Sequence, residues 1–487
     1  MREFTTLGKR DSWEGVRAVV AGMGVSGFAA ADNLTHLGAS VTVLDESDAG
    51  DRGEKGELLG ILGADVRLGP GSTATLPEDV DLVVTSPGWR PEAPLLAQAA
   101  ARGVTVWGEV ELAWRLSHNG IDPADQVPWL GVTGTNGKTT TVQMLDAMLR
   151  AGGLRSVACG NVGLPLVEAV MDPEERDVLA VELSSFQLHY THSLACESAV
   201  VLNVAEDHLD WYSGENGMED YAADKGRIYQ NVSRACVYNV ADQVTEDLVR
   251  EAEVVEGARA IGFTLGVPAV GMVGVVDDVL ADRAFVEQRQ VSAAELGTIA
   301  DLASPAPHFV ANALAAAALA RAHGVPPVAV RDGLRSFRPD GHRIAEVATV
   351  AGVTWVDDSK ATNPHAAASS LQAYEPVVWV AGGLAKGASF DTLVEQVRER
   401  LRGVVLLGRD RAVIAAALER HAPDVPVIEV ADQDTGAMDL VVRAAASLAQ
   451  PGDTVLLAPG CASMDMFANY GARGDAFAES VHRLAEG

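Results

Sequence analysis

Cysteine, aromatic side chains and cations are all scarce in this chain of 487 residues. Its four cysteines (Cys159, Cys196, Cys236, Cys461) stand far apart with no C-x-x-C pair. That argues against a disulfide framework or a zinc site and for a reducing compartment. Lys and Arg number 37 against 67 Asp and Glu, a net charge of −30. Nonspecific binding to nucleic acid or to an anionic membrane needs a surplus of cations, so neither partner is expected. No apolar run approaches the roughly 18 residues of a membrane span. The opening MREFTTLGKRDSWEG has no apolar core of a signal peptide. A cytoplasmic protein follows, with the excess acid as solvated surface. Any anionic ligand must then be met by few cations, locally placed.

What is present is an α/β grammar repeated three times. Apolar residues make up 48% of the chain, and the length predicts roughly three domains. In the first block VRAVVAG reads as a strand, Ser26–Leu37 as a helix ended by Gly38, and SVTVLD, LVVTSPG and VTVWGE as further strands. SHNGIDPADQVP (117–128) breaks the periodicity and reads as a linker. A second block opens on WLGVTGTNGKTT, with a helix over Lys138–Ala151 and strands VLAVELSS and AVVLNVAEDH. A hairpin around 271–290 predicts a mixed sheet there, and 311–324 reads as an Ala-rich helix. SFRPDGHR (336–343) is the next junction. The third block, with strands in VTWVDDSK, VVWVAGG, VVLLGRD, VPVIEVAD and TVLLAPG and helices over Ala412–Glu419 and Thr435–Ala449, reads as a parallel α/β domain. The expected fold is three domains, at 1–122, 123–339 and 340–487: Rossmann-like, a central phosphate-loop ATPase with a mixed sheet, and Rossmann-like again.

In parallel sheets ligands sit beyond the carboxyl ends of the strands. After the first strand, Gly22-Met23-Gly24-Val25-Ser26-Gly27 matches G-x-G-x-x-G, and acidic Asp45 ends the next strand. Alone this is a weak signal that a tight turn also satisfies. Gly134-Thr135-Asn136-Gly137-Lys138-Thr139-Thr140 is stronger. Successive amides can cradle phosphate, Lys138 can neutralise it and Thr139 can hold Mg²⁺. The strict motif is not met, because Val132 stands where its first Gly belongs. Glu182 and His208 follow neighbouring strands and can bind or polarise Mg²⁺. Two nucleotide-type sites plus a third module point to ATP-driven joining of two substrates. A nicotinamide oxidoreductase would leave GTNGKTT without a purpose, and a regulatory ATP-binding protein remains an alternative.

GVTGTNGKTT, GNVGLP, VELSSFQL, LNVAEDHLD, KGRIYQ, DSKATN and PGCASMDMF occur in order along the chain. Together they resemble the Mur ligases, and within them the D-glutamate-adding branch. The resemblance implies a monomeric enzyme that phosphorylates the carboxylate of UDP-N-acetylmuramoyl-L-alanine with ATP and joins the acyl phosphate to D-glutamate, in peptidoglycan precursor synthesis. A sibling ligase with another amino acid is the nearest alternative. By the same resemblance Gly134 to Thr140, Asn312, Arg343 and Asp358 bind ATP. Two Mg²⁺ ions are expected, with Thr139, Glu182, His208 and Lys225 as ligands. Lys225 matches a lysine carried as a carbamate, which turns a cation into an anion. Val25, Ser26, Asp45, Ser86, Pro87, Gly88 and Asn161 would recognise the UDP substrate. His342, Thr362, Lys386, Ser463 and Tyr470 would hold D-glutamate. Lys138, Lys225, His208 and Lys360 are the expected catalytic groups. Three departures stand out. His308-Phe309-Val310-Ala311-Asn312 leaves only Asn312 near adenine, Leu384 replaces a common acidic residue, and Tyr470 replaces Phe.

Overall fold

The computed structural model describes residues 4–213, 216–339, 341–431 and 436–486. Three sheets organise them. The first contains β1 (Arg17–Ala21), β2 (Ser40–Asp45), β3 (Asp65–Leu68), β4 (Leu82–Thr85) and β5 (Thr105–Gly108), in the order β3-β2-β1-β4-β5. Every pairing is parallel. β1 therefore lies between β2 and β4, where the winding reverses, and the turns after β1 and β4 open side by side.

The second sheet has nine strands: β6 (Trp129–Thr133), β7 (Ser156–Gly160), β8 (Val178–Glu182), β9 (Ser198–Val201), β10 (Ala235–Asn239), β11 (Arg259–Phe263), β12 (Met272–Val276), β13 (Val279–Asp282) and β14 (Ala294–Thr298). Their order is β14-β13-β12-β11-β10-β9-β6-β8-β7. β6, β8 and β9 are buried along their whole length, as strands covered on both faces must be. β13 runs antiparallel to β12 and to β14, so the mixed sheet and the hairpin read from sequence are both present. The Ala-rich helix begins four residues earlier than the pattern predicts, at Pro307, and ends at His323. Ala313 to Ala320 are completely buried; only small side chains let a helix be enclosed on all sides at close range.

The third sheet contains β15 (Ala345–Val350), β16 (Val353–Asp357), β17 (Val377–Gly382), β18 (Leu401–Leu407), β19 (Val427–Glu429) and β20 (Thr454–Leu457), ordered β15-β16-β20-β17-β18-β19. β15 is antiparallel to β16, which corrects the reading of this block as wholly parallel. β15 leaves its residues half-exposed or exposed, so it lacks the continuous apolar run that marks the inner strands; β3 escapes sequence reading for the same reason. The helix expected to start at Thr435 is found over Ala437–Leu448, and Thr435 lies outside the described residues. The four cysteines are buried free thiols. No helix among the described residues is long and apolar enough to cross a membrane.

Contacts divide the chain into two compact units. One comprises Met1–Val204, Glu219–Leu302 and Ala311–Phe337; the other Ala205–Met218, Ala303–Val310 and Arg338–Gly487. The first two sheets thus share one unit, and buried acids on helix Glu109–His118 join them. Glu111 accepts the backbone N–H groups of His192 (2.8 Å) and Ser193 (2.9 Å) and pairs with Arg115 at 2.7 Å. Burial pushes its carboxyl up, but these donors outweigh burial and hold it below the usual range. Glu109 is less well served. One oxygen accepts Val167 N–H at 2.9 Å, while the other is buried without a hydrogen-bond partner. Burial pushes its pKa up to about 7, from 4.5.

A carboxyl whose pKa is raised on folding supports stability fully below its unfolded value and loses that support as pH rises through its folded one. Between pH 4.5 and 7 the loss is on the order of 3 kcal/mol. Glu109→Gln is expected to gain on wild type by this amount between pH 5 and pH 8 in denaturant unfolding. A pH-independent difference would show that Glu109 is already charged in the folded protein.

Candidate active site

The loop between β6 and helix Lys138–Ala151 is shaped by its neighbours. Thr135 N–H donates to Asn203 O at 2.9 Å, Asn136 N–H to Asn203 Oδ1 at 2.9 Å, and Asn203 Nδ2 returns a bond to Asn136 O. Gly137 has φ +83°, and a Cβ there would lie 2.4 Å from Asn312 Oδ1. The position therefore needs glycine for both conformation and space. Asn312 is thereby packed against the loop. Val132, the departure from the strict motif, lies inside β6, paired with Glu182 and Val200. The loop thus begins where the strand ends, at Gly134. The helix it feeds has no acidic residue in its first turn, so its amides and partial positive charge are open to an anion.

Two lysines meet at this loop. Lys138 Nζ donates to the carbonyl oxygens of Gly134 (2.8 Å) and Thr135 (2.9 Å). Lys225, on helix Gly217–Gly226, is 1% exposed, and its Nζ donates to the same Gly134 oxygen at 3.1 Å. It also sits 4.3 Å over the Tyr221 ring, whose hydroxyl bonds Thr135 Oγ1 at 3.0 Å. Sequence alone reads Lys225 as an exposed helix lysine; burial against the loop rules that out. Glu182 ends β8 and is buried, with Oε1 accepting from Asn161 Nδ2 at 2.9 Å and Oε2 buried without a hydrogen-bond partner. An orphaned carboxylate oxygen is a hard donor of the kind Mg²⁺ takes, and Thr139 is buried as well. Asn161, expected at the substrate, gives one amide N–H to this carboxylate.

In the first sheet Asp45 accepts Met23 N–H at 2.7 Å and Ser47 N–H at 2.9 Å, with Arg52 Nε 3.4 Å away. It therefore pins the glycine turn. Ser86 Oγ reaches Gly22 O at 3.5 Å, which joins the turns after β1 and β4. Val25 is exposed at the start of helix Val25–His36, so the amide end of that helix is open.

The second unit gathers a different set. His208 (φ +56°), Thr362, Asn363 and Lys386 (φ +50°) line one cavity with Glu206, Asp207 and Leu209. Lys360 Nζ lies 4.0 Å over the Tyr470 ring, and Ser463 is buried. Two expected ligand residues also have protein partners. His342 Nδ1 bonds Asp357 Oδ2 at 2.6 Å, with Asp475 3.5 Å from its other nitrogen. Asp358 bonds Ser370 Oγ, and burial pushes its pKa up to about 6. Sequence reading placed Asn203 at a strand end without giving it a role, and missed Tyr221 and Arg473. The available signal for Arg473 is its small neighbour Gly474, where a Cβ would lie 2.1 Å from His342 Nδ1.

The three sheets coincide with three family matches: the MurD-like N-terminal domain of Mur ligases over residues 16–108, the Mur ligase middle domain over 132–320 and the Mur ligase glutamate ligase domain over 342–461. The curated UDP-N-acetylmuramoylalanine–D-glutamate ligase of Streptomyces avermitilis is 62% identical over 473 residues, covering 97% of this chain and 99% of its own. The chain belongs to the Mur ligase family. The same-named proteins of Thermobifida fusca and Mycolicibacterium smegmatis are 56% and 49% identical, covering 97% and 96% of this chain and 99% and 96% of theirs. Two solved Thermotoga maritima structures share the Mur ligase fold. UDP-N-acetylmuramate–alanine ligase MurC has a TM-score of 0.57 at 18% identity, covering 96% of this chain and 99% of its own. MurF in complex with ADP has 0.56 at 17%, covering 100% and 99%.

Gly137→Ala is expected to weaken nucleotide binding by this Mur ligase at least tenfold in a titration, with an unchanged circular dichroism spectrum. Unchanged affinity would mean that the loop conformation described here is not the one that binds.

Proposed function

We propose that this Mur ligase joins D-glutamate to UDP-N-acetylmuramoyl-L-alanine at the expense of ATP, in peptidoglycan precursor synthesis. The observation that carries the reading is the loop after β6, with Lys138 and Lys225 on one carbonyl and a phosphate-accepting helix N-terminus. The names of the 49–62% identical relatives support the choice of substrates. We assign residues 1–122 to the UDP substrate, 123–339 to ATP, and 340–487 to D-glutamate with part of ATP.

A carboxylate is a poor electrophile, so the reaction needs a leaving group. A carboxylate oxygen of the substrate attacks the γ-phosphorus of ATP and ADP departs, leaving an acyl phosphate. The D-glutamate amine then attacks the carbonyl carbon; the tetrahedral intermediate expels phosphate and the nitrogen loses its proton. Gly134 to Thr140 cradle the phosphates, and Lys138 swings from its carbonyl partners to the transferring group. Asn312, Arg343 and Asp358 complete the nucleotide contacts. Mg²⁺, when bound, spreads the charge where two anions meet. Glu182, Thr139, His208 and Lys225 as its carbamate are the proposed ligands. Lys138 and Lys225 as ammonium groups repel one another at a shared acceptor; as a carbamate, Lys225 would attract the metal and relieve that repulsion. Val25, Ser26, Asp45, Ser86, Pro87, Gly88 and Asn161 are assigned to the UDP substrate. Lys360, Thr362, Lys386, Ser463, Tyr470 and His342 are assigned to D-glutamate, whose two carboxylates call for cationic and hydroxyl donors. We assign a monomeric, cytoplasmic state.

ATP-dependent phosphate release measured across an amino-acid panel tests the reading. Turnover is expected only with both UDP-N-acetylmuramoyl-L-alanine and D-glutamate; equal turnover with L-glutamate or diaminopimelate would point to a sibling ligase. Lys225→Ala is expected to lose at least 100-fold in kcat and to recover partly in acetate or another short carboxylate. Full activity without any added acid would sink the carbamate assignment.

A further inference from the structure

Arg473, on helix Tyr470–Glu486, is a guanidinium 1% exposed. No carboxylate lies within ion-pair distance of it among the described residues, although Asp357 and Asp465 contribute favourable charge from farther away. Its partners are loop oxygens. Nε donates to Ser359 Oγ at 2.9 Å and Nη2 to Ser359 O at 2.8 Å. Nη1 donates to Cys461 O at 3.0 Å and to Gly382 O at 3.4 Å. Ser359 follows β16, Gly382 ends β17 and Cys461 follows β20. These are the three adjacent central strands of the third sheet, and one side chain therefore ties together the three loops at their carboxyl ends.

The ties lie next to the residues assigned to the amino-acid substrate. Ser359 precedes Lys360 and Thr362, Gly382 precedes Lys386 by four residues, and Cys461 precedes Ser463 by two. A second pair of bonds zips two of the loops: Leu384 N–H to Ala462 O at 2.8 Å, and Ala462 N–H to Leu384 O at 3.0 Å. Ser359 Oγ also donates to Tyr470 O at 2.7 Å, so the first residue of the arginine's own helix is bound in, with the ring that faces Lys360. A buried cation without an anion costs free energy that a well-packed apolar side chain would not. Stability alone therefore does not account for an arginine here, whereas the planar fork of five donors is what bridging three loops requires.

We propose that Arg473 is a positioning residue of the amino-acid site, holding the loops after β16, β17 and β20 in the register at which Lys360, Thr362, Lys386 and Ser463 converge on an amino dicarboxylate. The inference rests on the assignment of those four residues to D-glutamate. Loss of this register raises KM for the amino acid and spares the UDP substrate, which is assigned to the first sheet.

The test is steady-state kinetics of the full-length enzyme with Arg473→Lys, which keeps the charge but offers a point of donors instead of a fork. The KM is read for whichever amino acid the wild-type enzyme uses in the panel. A wrong substrate thus appears in the wild type, and a wrong role for Arg473 appears in the variant. The expected result is a KM at least tenfold higher for the amino acid, a KM within twofold of wild type for the UDP substrate, and a melting temperature close to wild type. An unchanged amino-acid KM in a folded variant, or equal rises in both KM values, overturns the proposal. Should Arg473→Lys not fold, Ser359→Ala removes the Nε acceptor together with the hydroxyl's own bond to Tyr470 O, and leaves the other arginine bonds in place. A threefold or greater rise in the amino-acid KM then supports the role, and an unchanged KM overturns it.

Discussion

The carbonyl oxygen of Gly134 accepts hydrogen bonds from two ammonium groups, those of Lys138 and Lys225, in a protein that otherwise carries a large excess of acid. Like charges brought to one acceptor repel, so the two lysines are held close against that repulsion. The loop's stiffness makes this possible. Asn203 holds it from one side, Gly137 fits only because it lacks a Cβ beside Asn312, and the helix behind it leaves its first turn free of acids. The buried, half-satisfied Glu182 adds negative potential suited to a divalent cation.

The second unit handles charge in the opposite way. There a buried cation, Arg473, donates four hydrogen bonds to backbone and hydroxyl oxygens, and the lysines that would meet ligand sit on loops that it ties down. His342 and Asp358 are held by Asp357 and Ser370, which fixes the start of the same loop cluster. Rigid support lies behind and reactive groups in front, as precise recognition of a small charged ligand demands.

Much of the site was legible because its chemistry is local. GTNGKTT reads as a phosphate loop from seven consecutive residues, and helix Lys138–Ala151 has the very bounds its pattern predicts. The glycine turn after β1 and the turn after β4 could each be read alone; that they touch follows from the strand order β3-β2-β1-β4-β5. Other features were not legible. β3 and β15 lack apolar runs because their faces are partly solvated. Lys225 looks like an ordinary surface lysine until helix Gly217–Gly226 is seen to bury it. Arg473 sits among small residues more than 100 positions from Ser359, and no periodicity connects the two.

By itself the amino-acid sequence determined the three α/β blocks, the phosphate loop and the family, because strand and helix periods, glycine placement and motif order are properties of neighbouring residues. Tertiary structure alone decided which charges are buried, which carboxylate oxygen is left without a partner, and which loops one arginine unites. Burial and hydrogen-bond satisfaction depend on what the fold brings together across tens or hundreds of residues. Desolvation then sets the cost or the use of each charge.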